Sequence, residues 1–177
     1  TTSIKVISPN GKIEIDFNLS SDKSPLYSVN YKGNTIIDKS RLALEFANRE
    51  TFSGDLEIID IKRNTHDEVY KIVAGKTSDA RDHYNELLIK LKERKKSGKV
   101  VDLCFRAYDD GAAFRYIIPE QEAVDSFRLS AEHSEFHFTD NHRCWAIQLG
   151  KFTEAGYEKE YDPIKIDDIS PDALVGI

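Results

Sequence analysis

Two glutamates two residues apart, Glu158 and Glu160, lie between Tyr157 and Tyr161 near the end of the chain. On an extended segment such residues project to the same side. Paired carboxylates can serve as general acid and base, or give oxygens to a hard cation such as Ca2+. Taken alone, the pair is more often a solvated acidic face. Trp145, the single tryptophan, could stack on a sugar ring. Flanked by Cys144 and Ala146, it is more often a core residue. His133, Glu135 and His137 follow an i, i+2, i+4 spacing that would chelate Zn2+ from one face of a strand. Exposed strand decoration is the commoner reading. Asp109 and Asp110 could ligate a metal, but turn chemistry accounts for them. The sequence has no Ser/His/Asp order, glycine-rich phosphate loop or CxxC pair.

The elements that must position these groups are strands. Lys12 to Leu19 alternates strictly, with Ile13, Ile15, Phe17 and Leu19 on one face, the period of a half-buried strand. Tyr27 to Tyr31 alternates similarly. Further strands are expected at 4–7, 42–46, 56–62, 68–74, 84–92, 100–108, 112–118, 127–129, 136–138 and 144–148. Asp110-Gly111 between two runs of β-formers is a strong hairpin signal, and it places 100–108 and 112–118 at the centre of the domain. The one weak helical stretch, 119–125, is expected to be a short turn. Turn-separated strands without a sustained 3.6-residue period indicate an all-β sandwich of two packed antiparallel sheets.

From Asn141 to Asp162 the pattern changes. Trp145, Phe152, Tyr157 and Tyr161 mix with Glu154, Glu158 and Glu160, the composition of a ligand or sugar surface. The closing run, Ala173 to Ile177, is apolar. It is expected to be an unpaired strand whose continuation lies elsewhere.

At 177 residues, with 40% hydrophobic and 32% charged residues, the chain has the size and balance of one folded domain. The net charge of -6 argues against a nucleic-acid partner, whose phosphates it would repel. The basic residues between Lys90 and Lys99 surround Ser97-Gly98 and are expected to be a solvated hairpin tip. Two cysteines make no disulfide framework, and Cys104, inside an apolar strand, is expected to be buried. No apolar run approaches the roughly 20 residues that span a bilayer. No signal peptide is evident, and Thr1-Thr2-Ser3 looks like a trimmed start.

The order of these segments resembles the N-terminal domain of glycoside hydrolase family 97, the α-glucosidases and α-galactosidases of gut Bacteroidetes. The resemblance is carried by Ser8-Pro9-Asn10-Gly11-Lys12, by Gly75-Lys76 with Arg81-Asp82-His83-Tyr84-Asn85-Glu86-Leu87, by the hairpin Arg106 to Tyr116, and by Tyr157-Glu158-Lys159-Glu160-Tyr161. It implies a β-super-sandwich similar to that of galactose mutarotase, ahead of a catalytic (β/α)8 barrel. A barrel takes about 250 residues, so this chain departs from the family pattern by lacking one. The resemblance further implies that Glu158, with Glu160 as second choice, ligates Ca2+ together with the barrel, and that Trp145, Tyr157 and Tyr161 wall the sugar pocket. No residue of the chain is then catalytic, and the isolated chain is expected to be inactive. Its expected partners are the barrel of the same polypeptide and an α-linked oligosaccharide, and its expected location is the periplasm or cell envelope. The alternative is a free-standing β-sandwich that binds carbohydrate or a protein partner.

Overall fold

The computed structural model describes residues 3–94, 98–122, 126–149 and 160–170, and the backbone of 174–176. The chain divides into two compact units, 1–137 and 138–177. The first unit contains two antiparallel sheets. One runs in the order β1 (Ile4–Ile7), β2 (Ile13–Leu19), β3 (Pro25–Tyr31), β4 (Asn34–Phe46) and β10 (Leu129–Ser134), with the short β5 (Thr51–Phe52) also on β4. The other runs β6 (Leu56–Lys71), β7 (Asp79–Glu93), β8 (Val100–Tyr108) and β9 (Ala112–Ile117).

Alternation sets the layers. Ile13, Ile15 and Phe17 are buried on β2, as the sequence pattern requires. Ile15 and Phe17 meet Leu87, Ile89 and Leu91 of β7 and Leu103, Phe105 and Ala107 of β8 in a single apolar core. Its centre is aromatic: Phe105 lies 5.8 Å from Phe17, 6.2 Å from Tyr27 and 6.3 Å from Phe114, ring centre to ring centre. Aromatic pairs at such spacings add to the burial of their surface. On the other face of β8, Cys104 is buried, as expected, and so is Asp102, which lies under its cross-strand partner Lys90.

Several expected elements differ. The runs expected at 56–62 and 68–74 form one strand, β6, which ends at Lys71. The polar stretch Arg63–Asp67 pairs in full register with Leu87–His83, because an edge strand held on one side tolerates charge on both faces. The strand expected at 42–46 starts eight residues earlier. A bulge hides that start: the β3–β4 register shifts between Tyr27 and Val29, and Lys39 takes a left-handed φ of 39° while its N–H bonds the Ser28 hydroxyl. A bulge spoils the period of 2 that reveals a strand. Residues 136–137 are not a strand; His137 is tied to β4 by its carbonyl, which accepts from Asp38, and by its N–H to Ser40.

The β8–β9 hairpin forms, but its turn is shifted by one residue. Tyr108 N–H bonds the Gly111 carbonyl at 2.8 Å, so Asp109 and Asp110 make the tip. Nor is the hairpin central as a whole, since among the described residues β9 is the edge of its sheet. The basic segment is also less solvated than expected. Lys99 is buried and pairs with Glu50, and Lys90 makes a two-pronged bond to Asp102 at 2.8 and 2.9 Å. Lys95 and Lys96 lie outside the described residues, as does most of the end of the 119–125 stretch.

The second unit holds a three-stranded antiparallel sheet: β12 (Asp162–Lys165), β11 (Arg143–Leu149) and β13 (Leu174–Gly176), with β11 in the middle. A single 3-10 turn, Ile166–Asp168, ends β12. The apolar run expected to be unpaired is instead paired, Leu174–Gly176 lying against Leu149–Ile147. Among the described residues no helix is long and apolar enough to cross a membrane.

Candidate functional site

Trp145 and Tyr161 are the site candidates whose geometry is visible. Trp145 is 66% exposed, which overturns its reading as a core residue. It sits in the middle strand β11, but on the same side as Arg143, while Ala146 points the other way and is buried. Pro163 of β12 lies directly opposite Trp145. Tyr161, one residue before β12, is 51% exposed. An exposed indole and an exposed phenol are each suited to stacking against the apolar face of a sugar ring. Glu160, next to Tyr161 in the sequence, is exposed too. Tyr157 and Glu158 lie outside the described residues.

The other candidates resolve into structural roles. His133 Nε2 is 3.0 Å from Glu45 Oε2, while Glu135 Oε2 accepts the Arg41 N–H at 2.9 Å and lies 3.5 Å from His137 Nε2. The strand that would align all three ends at Ser134. Among the described residues no group of three or more His, Cys, Asp or Glu side chains is arranged to hold a metal ion.

The polar motifs of the first unit act as staples. Asn10 donates its N–H to Asp109 Oδ1 at 2.8 Å and its side-chain amide to the Asp109 carbonyl at 3.2 Å. The Ser8–Lys12 turn and the β8–β9 turn, 99 residues apart, are thereby joined. Arg81 makes a two-pronged bond to Asp67, 2.7 Å on each arm. Asn85 reaches the Ile7 carbonyl at 2.7 Å. Arg106 donates to Glu86 at 2.8 Å and lies 4.1 Å from the centre of the Tyr84 ring. Burial opposes the charge on Arg106, but its bonds to Glu86 and Tyr108 outweigh that and raise its pKa. Sequence reasoning found these residues as motifs. Their joining role was not readable, because each partner lies on a different strand.

Four described carboxyls are stabilised as ions. Burial pushes the Asp16 carboxyl up, but hydrogen bonds from Ser3 and Lys5 pull it below the usual range. Asp22, Glu45 and Asp67 are lowered chiefly by bonds from Ser20, His133 and Arg81 respectively. A general acid needs the reverse, a carboxyl held protonated near neutral pH.

Comparison with known proteins points one way. The model of the glycosyl-hydrolase 97 N-terminal family matches residues 6–175. A retaining alpha-galactosidase of Bacteroides thetaiotaomicron is 24% identical over 131 residues, which are 74% of this chain and 18% of that protein. A family 97 glycoside hydrolase of Pseudoalteromonas sp. strain K8, solved with panose, superposes with a TM-score of 0.82 at 25% identity over 94% of this chain and 25% of its own. A beta-arabinopyranosidase superposes with a TM-score of 0.78 at 26% identity, over 90% and 26%. The chain thus spans about a quarter or less of the proteins it matches.

Proposed function

Since the chain belongs to the glycosyl-hydrolase 97 N-terminal family, we propose that it serves as the non-catalytic β-super-sandwich of a family 97 α-glycosidase. In this reading it packs on a catalytic barrel, walls the sugar pocket with Trp145, Tyr157 and Tyr161, and supplies Glu158, with Glu160 as second choice, to a Ca2+ ion. The observation that carries the reading is the match over 6–175 by a chain covering only 25% of a solved family 97 enzyme. The exposure of Trp145 and Tyr161 supports it.

Calcium takes six to eight oxygens. The exposed carboxylate of Glu160 has the right donor chemistry, and the remaining oxygens must come from the barrel and from Glu158. A cation held there would polarise the oxygens bound to it. This chain's own residues would orient one of its ligands and keep an aromatic wall beside the sugar. The expected location of such an enzyme is the periplasm or cell envelope.

The test uses the single tryptophan as reporter. The 177-residue chain should hydrolyse no aryl α-glucoside or α-galactoside and show no saturable change in Trp145 fluorescence with an α-linked oligosaccharide such as panose. In the enzyme that contains the barrel, Glu158→Gln should weaken Ca2+ binding and turnover together. Turnover by the chain alone would place the active site here. Saturable oligosaccharide binding by the chain alone would favour a free-standing carbohydrate-binding module.

A further inference from the structure

The sandwich is unequally covered. Two cavities, of about 830 and 450 Å3, lie along β9 and share Phe114 and Glu132 in their walls. The first opens over the inner face of the other sheet at Val29 and Ile37, with Phe136 beside it. The second opens over Leu44 and Leu129. Together they form a trench running the length of the β9 edge. Its floor is apolar, and Phe136, Phe127 and Leu129 remain 51%, 47% and 45% exposed.

The edge itself is ready to pair. Tyr108 and Gly111 form a hydrogen-bonded pair, and antiparallel ladders alternate bonded and non-bonded pairs. Ala113, Arg115 and Ile117 therefore turn their N–H and C=O groups toward β8, while Ala112, Phe114 and Tyr116 turn theirs toward the trench. Among the described residues β9 has one strand neighbour, β8. The opposite edge of the same sheet, β6, carries Lys62, Arg63, Asp67 and Glu68, the charges that keep an edge from pairing. β9, reading Ala-Ala-Phe-Arg-Tyr-Ile, carries only Arg115.

We infer that the trench seats an extended strand, which adds to β9 as the fifth strand of the β6–β9 sheet. The occupant is a segment of the remaining family 97 polypeptide with apolar residues at every second position. Main-chain bonds to Ala112, Phe114 and Tyr116 would give affinity, and alternate side chains would fill the two cavities, the logic of β-strand addition. The relatives supply the source, since three quarters of the matched family 97 enzyme lies outside the region this chain covers. Asp109, Asp110 and Glu132 in the walls favour a basic residue on the incoming strand. The inference rests on the family membership, not on the calcium or pocket-wall roles, so a failure of either leaves it standing.

The experiment is amide hydrogen exchange on the 177-residue chain, read by NMR. The probes are blocked peptides of about eight residues, a typical strand length, alternating Val, Ile or Phe with Thr and carrying a terminal Lys. Without peptide, the amides of Ala112, Phe114 and Tyr116 should exchange quickly. At about ten times the dissociation constant, their protection should rise roughly ten-fold, while Ala113 and Arg115 change little. Peptides N-methylated at alternate residues keep their side chains but lose the main-chain donors, and should have no such effect. The inference is overturned if millimolar peptide protects none of the three amides. It is equally overturned if the N-methylated peptides act as well as the parent peptides, which would mean unspecific apolar binding. Protection already present without peptide overturns it too: concentration-dependent protection would assign the edge to a second copy, and concentration-independent protection to the chain itself.

Discussion

Tyr116 ties the two sheets together, and Tyr27 anchors the segment after β10 to β3 of its own sheet. Tyr27 is buried and donates its hydroxyl to the Glu135 carbonyl at 2.9 Å; the Tyr116 hydroxyl is 2.9 Å from that of Ser134. Burial pushes both phenols up from 10.0 to about 12, with nearby acidic groups adding to the effect. A phenol whose pKa is raised on folding contributes stability that is complete below its unfolded pKa. That stability is lost as pH rises from about 10 to about 12, when the unfolded chain ionises and the folded one does not. Denaturant unfolding measured across that window should show the fall, and Tyr27→Phe should make it shallower. At the core centre, Phe105→Ala should cost about 3–5 kcal/mol, because the hole it leaves is walled by three other aromatic rings that cannot all close in. Thermal or urea unfolding reads this directly.

At the scale of elements, the turns depend on one another. Asp109 receives the Asn10 N–H and so holds the β1–β2 turn against the β8–β9 turn. Asp109→Ala should therefore cost about 1 kcal/mol, the net worth of a hydrogen bond. The loss should appear as faster amide exchange at Asn10 and Gly11 as well as around the mutated turn. An effect confined to 108–111 would show that the two turns are independent. The Lys90–Asp102 pair is a second test. Asp102 is buried and Lys90 is only part-buried. Asp102→Ala should cost about 2–3 kcal/mol, less than a fully buried pair because the lysine can turn toward water. Replacing both residues by apolar side chains of similar volume should recover much of that loss.

For the whole molecule, the lowered carboxylates set the acid limit. Asp16, Asp22, Glu45 and Asp67 all have folded pKa values below their ordinary ones. A depressed carboxyl contributes stability above its unfolded pKa, and that contribution is lost as pH falls through the folded value. The chain should keep its stability from neutrality down to the ordinary carboxylate range, 3.8 for aspartate and 4.5 for glutamate, and lose it progressively below. Asp16→Asn should flatten that fall, since Asp16 is the member of the set drawn furthest from water. A melting temperature indifferent to pH between about 5 and 2 would contradict this account.

The alternation of apolar residues determined much of the architecture by itself. Ile13, Ile15 and Phe17 had to share a face, and the bounds of β1 and β8 follow from runs of β-formers that turn residues close. The family was legible too, in four ordered motifs, because turn and staple residues keep their spacing along the chain. Tertiary structure alone decided what those motifs do. Asn10 and Asp109 are 99 positions apart, and no local pattern says that one caps the other. It decided that Trp145 faces outward although its neighbours are apolar, since exposure depends on what packs over a face of β11 and not on β11 itself. It decided that Lys99 is buried against Glu50, that the bulge at Lys39 hides half of β4, and that β9 ends its sheet while facing an open apolar floor. The physical reason is range. Side-chain alternation is set by neighbours two residues away, whereas burial, pairing and edges are set by contacts between segments far apart in the chain.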